Sequence, residues 1–114
     1  MSATQLYSGT TAVGATEWSC ITDTSGPDTS TTAGTYQVFL DVNDMIAGDQ
    51  LQIRIYEKCR SGDTQRVIYE AILTGAQGQP MWVSPALILI HGWDVTLKTL
   101  AGTAITVLWS IRYP

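Results

Sequence analysis

Few residues in this chain carry catalytic or ligating chemistry, and their spacing limits what they can do. The single histidine, His91, would have to serve any Ser-His-Asp relay, yet Ser84 lies in VSPA and not in a GxSxG elbow. Set between apolar ALILI and Gly92-Trp93, the imidazole is read as capping a strand end or packing on Trp93. Zinc asks for three or four ligands, and Cys20, Cys59 and His91 show no diagnostic spacing. The two thiols are read as small reduced hydrophobes. Glu57 and Glu70 are the pair to weigh for glycoside hydrolysis, because a hairpin between them would bring them face to face. Lys58 and Arg66 beside them favour the ionised forms, which works against a general acid. DVND (Asp41 to Asp44) lacks the spacing and the terminal Glu of an EF-hand and reads as a strand exit and cap. The expectation is no enzyme, with no catalytic residue, no cofactor and no metal.

Aromatic faces are the remaining chemistry. Trp18, Trp82, Trp93 and Trp109 could include a sugar-stacking platform, as in a carbohydrate-binding module. Trp93 and Trp109 fall on apolar strand faces, where core packing is expected. Trp18 and Tyr7, in the polar N-terminal third, and the near-terminal Tyr113 are candidates to dock on a neighbour. A net charge of −4 argues against a phosphate backbone as partner, so no nucleic acid is expected. Four of the six basic residues lie between Arg54 and Arg66 beside Glu57, Asp63 and Glu70, and they read as a solvated hairpin face. Charged residues make up 14% of the chain, against a usual share of about 25%. So thin a charge cover protects poorly against association, and a homo-oligomer or larger assembly is expected.

These residues sit on elements written in the period of β-strands. LQIRIYEK (Leu51 to Lys58) sends Leu51, Ile53 and Ile55 to one side, and ITVLWSIRY (Ile105 to Tyr113) does the same with Ile105, Val107, Trp109 and Ile111. TYQVFLDV (Thr35 to Val42) places Tyr36, Val38 and Leu40 on one face, and Asn43 or Asp44 caps at most one helical turn near 43–47. LQIRIYEK pairs with QRVIYEAIL (Gln65 to Leu73) through Ser61-Gly62-Asp63. Pro80 limits Met81 to Ser84 to an edge or to a start after the proline, and WDVTLKTL alternates Trp93, Val95 and Leu97 with Asp94, Thr96 and Lys98. ALILI (Ala86 to Ile90), apolar on both faces, reads as a central strand or one that also serves an interface. About half of residues 1–35 are Ser, Thr or Gly, with short strands expected near Gln5 to Tyr7 and Thr16 to Thr22. The chain is read as one domain, 1–114. Residues 1–16 are taken as an extended arm and 23–34 as a polar loop. The fold class is all-β: an antiparallel sandwich of seven or eight short strands, jelly-roll- or immunoglobulin-like. The longest apolar run is far short of the roughly 20 residues of a membrane helix, and no membrane partner is expected. The start lacks the basic flank and apolar run of a secretory signal.

The succession TYQVFLDV, AGDQLQIRIYEK, TQRVIYEA, PMWVSPALILIHGWDVTLK and a closing strand resembles small uncharacterised virion structural proteins of tailed bacteriophages and prophages. The resemblance spans roughly Gly34 to Arg112 and is one of overall pattern, without a diagnostic motif. It implies a capsid decoration (cement) or other head-associated protein, located in the virion after assembly in the host cytoplasm. Its partner would be the major capsid protein or another virion protein, beside further copies of itself. A tail or neck component is the alternative within the same class, and a carbohydrate-binding module the alternative outside it. The partner-binding candidates are Tyr7, Trp18, Ile68, Ile72 and Tyr113. Ile68 and Ile72 are included because, with ALILI, they place apolar residues on both faces of a strand.

Overall fold

The computed structural model describes residues 3–114, which fold as two antiparallel five-stranded sheets packed face to face. In chain order the strands are β1 (Thr4–Val13), β2 (Trp18–Ser19), β3 (Thr24–Ser25), β4 (Gly34–Asp41) and β5 (Gln50–Glu57). They continue with β6 (Arg66–Thr74), β7 (Met81–Val83), β8 (Leu87–Leu89), β9 (Asp94–Ala101) and β10 (Ile105–Tyr113). The first sheet runs β1-β10-β4, with β7 and β8 side by side along the far edge of β4. The second runs β3-β2-β9-β5-β6. No helix occurs among the described residues. In place of a helical turn capped by Asn43 or Asp44, two tight turns follow β4, held by Met45 N–H on the Val42 carbonyl and by Ile46 N–H on Asp49 Oδ2.

Period-two alternation explains the core. Tyr36, Val38 and Leu40 of β4 and Ile105, Val107, Trp109 and Ile111 of β10 meet Leu51, Ile53 and Ile55 of β5 and Val95 and Leu97 of β9, all buried. Trp93, fully buried, ties the sheets together at one end. Tyr36 stacks on it at 4.7 Å between ring centroids, Tyr7 meets it edge-on at 6.1 Å, and Tyr113 meets Tyr36 edge-on at 5.7 Å. The Trp93 indole N–H and the Tyr36 hydroxyl both donate to the carbonyl of Thr32, which draws the 23–34 segment over this cluster.

Three expectations change. The segment read as an arm is, over Thr4–Val13, a ten-residue strand paired along β10. Its Ser, Thr and Gly carry little hydrophobic pattern, and β10 supplies the pairing that orders them. ALILI is not a central strand: only Leu87–Leu89 pairs, at the edge, with Leu89 buried and Ile88 74% exposed. Pro85 before it and Gly92 after it, at φ 141°, keep the segment short. The strand expected over Thr16 to Thr22 shrinks to Trp18–Ser19 because the Ser19 hydroxyl accepts from Ile21 and Thr22 N–H and turns the chain. The count among the described residues is thus ten strands, four of them only two or three residues long.

Gly9 is where β1 lies over Trp109: a Cβ there would come 2.5 Å from Trp109 Cζ2. Trp109 is also the one buried side chain among the described residues whose N–H has no partner. Gly9→Ala is expected to cost about 1–3 kcal/mol through overpacking, whereas Gly14→Ala, with open space around it, should be near neutral. Urea unfolding of the two variants checks this, and equal stabilities would contradict the packing described.

Candidate interaction surface

All ten carboxylates of the chain accept a hydrogen bond from the protein itself. Several hold loops by taking backbone N–H groups. Asp94, at the start of β9, accepts from Asp28 N–H at 2.7 Å, Val95 N–H at 2.8 Å and the Ser19 hydroxyl at 2.7 Å. Glu57 accepts from Lys58 N–H at 2.9 Å, Ile90 N–H at 2.6 Å and His91 N–H at 3.2 Å, pinning the β8–β9 connection. Asp44 accepts from Thr106 N–H. Glu17 accepts from the Tyr56 hydroxyl and the Thr96 hydroxyl on the outer side of the second sheet.

Glu57 and Glu70 do not face each other. In the β5–β6 register Glu57 lies opposite Arg66, while Glu70 lies opposite Arg54 and pairs with its guanidinium at 2.7 Å. The Ser84 hydroxyl donates to the Pro85 carbonyl and accepts from Val38 N–H, so it extends the β4 edge. Cys20 is buried and Cys59 exposed, and both are free thiols. Burial, then the charges of Asp94 and Asp23, push the Cys20 thiol well above its ordinary pKa. No group of three or more His, Cys, Asp or Glu placed to hold a metal occurs among the described residues. Among the described residues no helix is long and apolar enough to cross a membrane. A hollow of about 690 Å³ at the tip of the β5–β6 hairpin is lined by Lys58, Cys59 and Arg66 together with Glu57 and Asp63. Both acids there are engaged, Glu57 with the 90–91 backbone and Asp63 with Arg60.

The five partner-binding candidates are not brought together. Tyr7 packs on Trp93 and bonds Ser30, Trp18 donates its indole N–H to Asp23, and Tyr113 packs on Tyr36, all three half-buried against the core. Ile68 and Ile72 stand on the edge strand β6, each 49% exposed. Trp82 is half-buried near Tyr69, and Trp93 and Trp109 are buried, so no tryptophan among the described residues offers an open platform. Compared with protein-family models, curated proteins and solved structures, the chain matches none.

The outer face of the first sheet carries a set that sequence reading missed. Pairing lays out its rows: Val83, Phe39, Ser110 and Ser8 form one, and Met81, Asp41, Leu108 and Thr10 the next. Ile88 beside Thr35 continues the face toward one end, and exposed Ile46 stands near Leu108 at the other. Only Asp41 and Arg112 bring charge to β4, β7, β8 and β10 on this side. Asp41 accepts from Asn43 N–H, and the Arg112 guanidinium lies 4.0 Å above the Phe39 ring. Three hollows of about 430, 180 and 480 Å³ follow one another along the face, the first two sharing Phe39 and Arg112 and the last two sharing Asp41 and Leu108. The signal lay in Met81, Val83 and Leu108 being apolar at outward positions, which shows only once three strands are aligned.

Two outcomes follow from the buried groups. Desolvation is the largest influence on Asp94 and raises its pKa despite the three hydrogen bonds it accepts. Its folded pKa therefore exceeds the unfolded one, and folding takes up a proton between them. Asp94 then adds most to stability below the ordinary value of about 3.9 and less as pH rises through the raised pKa. Urea melts at acid and neutral pH should show the advantage of wild type over Asp94→Asn growing as pH falls; a shrinking advantage would contradict this. With a thiol reagent, the native protein should titrate Cys59 quickly and Cys20 only on unfolding, and two fast thiols would contradict the burial of Cys20.

Proposed function

We propose that this chain is a virion structural protein of the decoration type, seated on an assembled phage shell through the outer face of its first sheet. The observation that carries the reading is the apolar face itself. Phe39, Met81, Val83, Ile88 and Leu108 lie across four strands in a chain that has little charge to cover them. Exposed apolar side chains gathered on one sheet face support an interaction site there. The phage context rests on the resemblance over Gly34 to Arg112.

A protein of this kind would act by binding. A ligand with affinity for the assembled shell and none for its separated subunits shifts the balance away from disassembly. A shell repeats its binding site many times, so modest contacts per copy suffice where neighbouring copies also touch. The face suits such a contact because it carries only two charges, Arg112, which packs on Phe39, and Asp41, which accepts from Asn43 N–H, so covering it desolvates few ions.

The test uses purified protein and empty shells of the phage or prophage that carries its gene. Saturable binding at a fixed number of copies per shell is expected. Leu108→Lys or Val83→Lys should weaken it by about tenfold or more, and Ile72→Lys on the opposite sheet should leave it unchanged. No binding to shells, binding indifferent to Leu108→Lys and Val83→Lys, or closed rings of the isolated protein that dock on a tail or neck would each contradict the reading.

A further inference from the structure

The two sheets have four edges, and natural sheets guard their edges with short strands, proline, charge or bulges. Three are guarded here. β7 and β8 have three residues each with Pro80 and Pro85 beside them, and β3 has two residues followed by Gly26-Pro27. β6 carries Arg66 and an ion-paired Glu70. β1 differs: its ten residues, TQLYSGTTAV, contain no charge and no proline. Its register against β10 is regular from Tyr7 to Val13, the one irregularity falling between Gln5 and Tyr7. No backbone hydrogen bond from a loop reaches the edge over Thr4–Val13 among the described residues.

The edge is also held in place. Tyr7 is fixed by the Trp93 ring and the Ser30 hydroxyl, and beyond the other end Thr99 donates its hydroxyl to the Val13 carbonyl at 2.7 Å and its N–H to the Gly14 carbonyl at 2.9 Å. Such preorganisation lowers the cost of adding a strand.

We propose that β1 pairs antiparallel with β1 of a second copy of this chain, forming a symmetric dimer centred on Thr10. A two-fold axis perpendicular to the sheet pairs outward residues with outward residues. Centred on Thr10, it sets Thr10 against its own copy, Ser8 against Ala12 and Gly9 against Thr11. The strand brings no like charges together in this arrangement, whereas an equivalent self-pairing of β6 about Glu70 would oppose two carboxylates. The two first sheets become one, and their apolar outer faces lie side by side. The dimer does not rest on the shell reading, because it is measured in free solution.

The experiment is sedimentation of the full chain from about 1 to 100 µM, the range in which a dimer of micromolar affinity declares itself. Wild type should move from one to two chain masses. Thr10→Lys, at an exposed position and with an unchanged thermal melt, should raise the dissociation constant by about tenfold or more, and Ile72→Lys should not alter it. Amide exchange in β1 should slow as concentration rises. A wild-type monomer throughout, including one whose β1 edge is filled only by a strand of another protein, overturns the proposal. So does a dimer that survives Thr10→Lys and is lost with Ile72→Lys.

Discussion

Both sheets depend on Trp93. Its indole is fully buried at the residue before β9, on the side of the second sheet, and the first sheet supplies the rings of the cluster: Tyr7 on β1 and Tyr36 on β4 pack on Trp93, and Tyr113 on β10 packs on Tyr36. In a strand, pointing one residue inward fixes the direction of every other. With Tyr36 inward, Thr35, Gln37 and Phe39 face out. With Tyr113 inward, Arg112, Ser110 and Leu108 face out, and with Tyr7 inward, so do Ser8 and Thr10. The aromatic cluster therefore decides which side chains the first sheet offers to another molecule. It also spends Tyr7 and Tyr113 on internal packing, leaving Phe39 as the one aromatic ring that β1, β4 and β10 turn outward.

The polar half of the structure obeys a similar economy. With two sheets closed face to face, the long connections have no helix to lean on, and their N–H groups need acceptors. Asp94, Glu57, Asp44 and Asp49 supply them, which is why acidic residues sit at strand ends and loop entries. A carboxylate accepting two or three backbone N–H groups is fixed in place, a good loop anchor and a poor candidate for proton transfer to a substrate. The Ser84 hydroxyl is committed to the β4 edge in the same way.

Much of this fold was legible in the residues. The β5–β6 hairpin could be read with its inward set, because alternation of Leu51, Ile53 and Ile55 and the Ser61-Gly62-Asp63 turn are both local signals. β1 was legible only near Gln5 to Tyr7, since beyond it Ser, Gly and Thr look alike on both faces and β10 imposes the order. The exposed position of Ile88 was hidden because an apolar run reads the same whether a neighbouring layer or solvent lies over it. The outer apolar face was hidden for another reason: Val83, Phe39 and Leu108 are far apart in the chain and become neighbours only through the pairing of β7, β4 and β10. Single-strand patterns carry no information on that.

The central claim is that the first sheet's outer face, whose composition the Trp93 cluster dictates, is covered by another molecule in the working state. Electron cryomicroscopy of the intact particle tests it most directly. The account predicts density for the sandwich on the shell with Phe39, Val83 and Leu108 against a capsid subunit and the second sheet toward solvent. Density showing that face open to solvent, with the particle held through another surface, would contradict it.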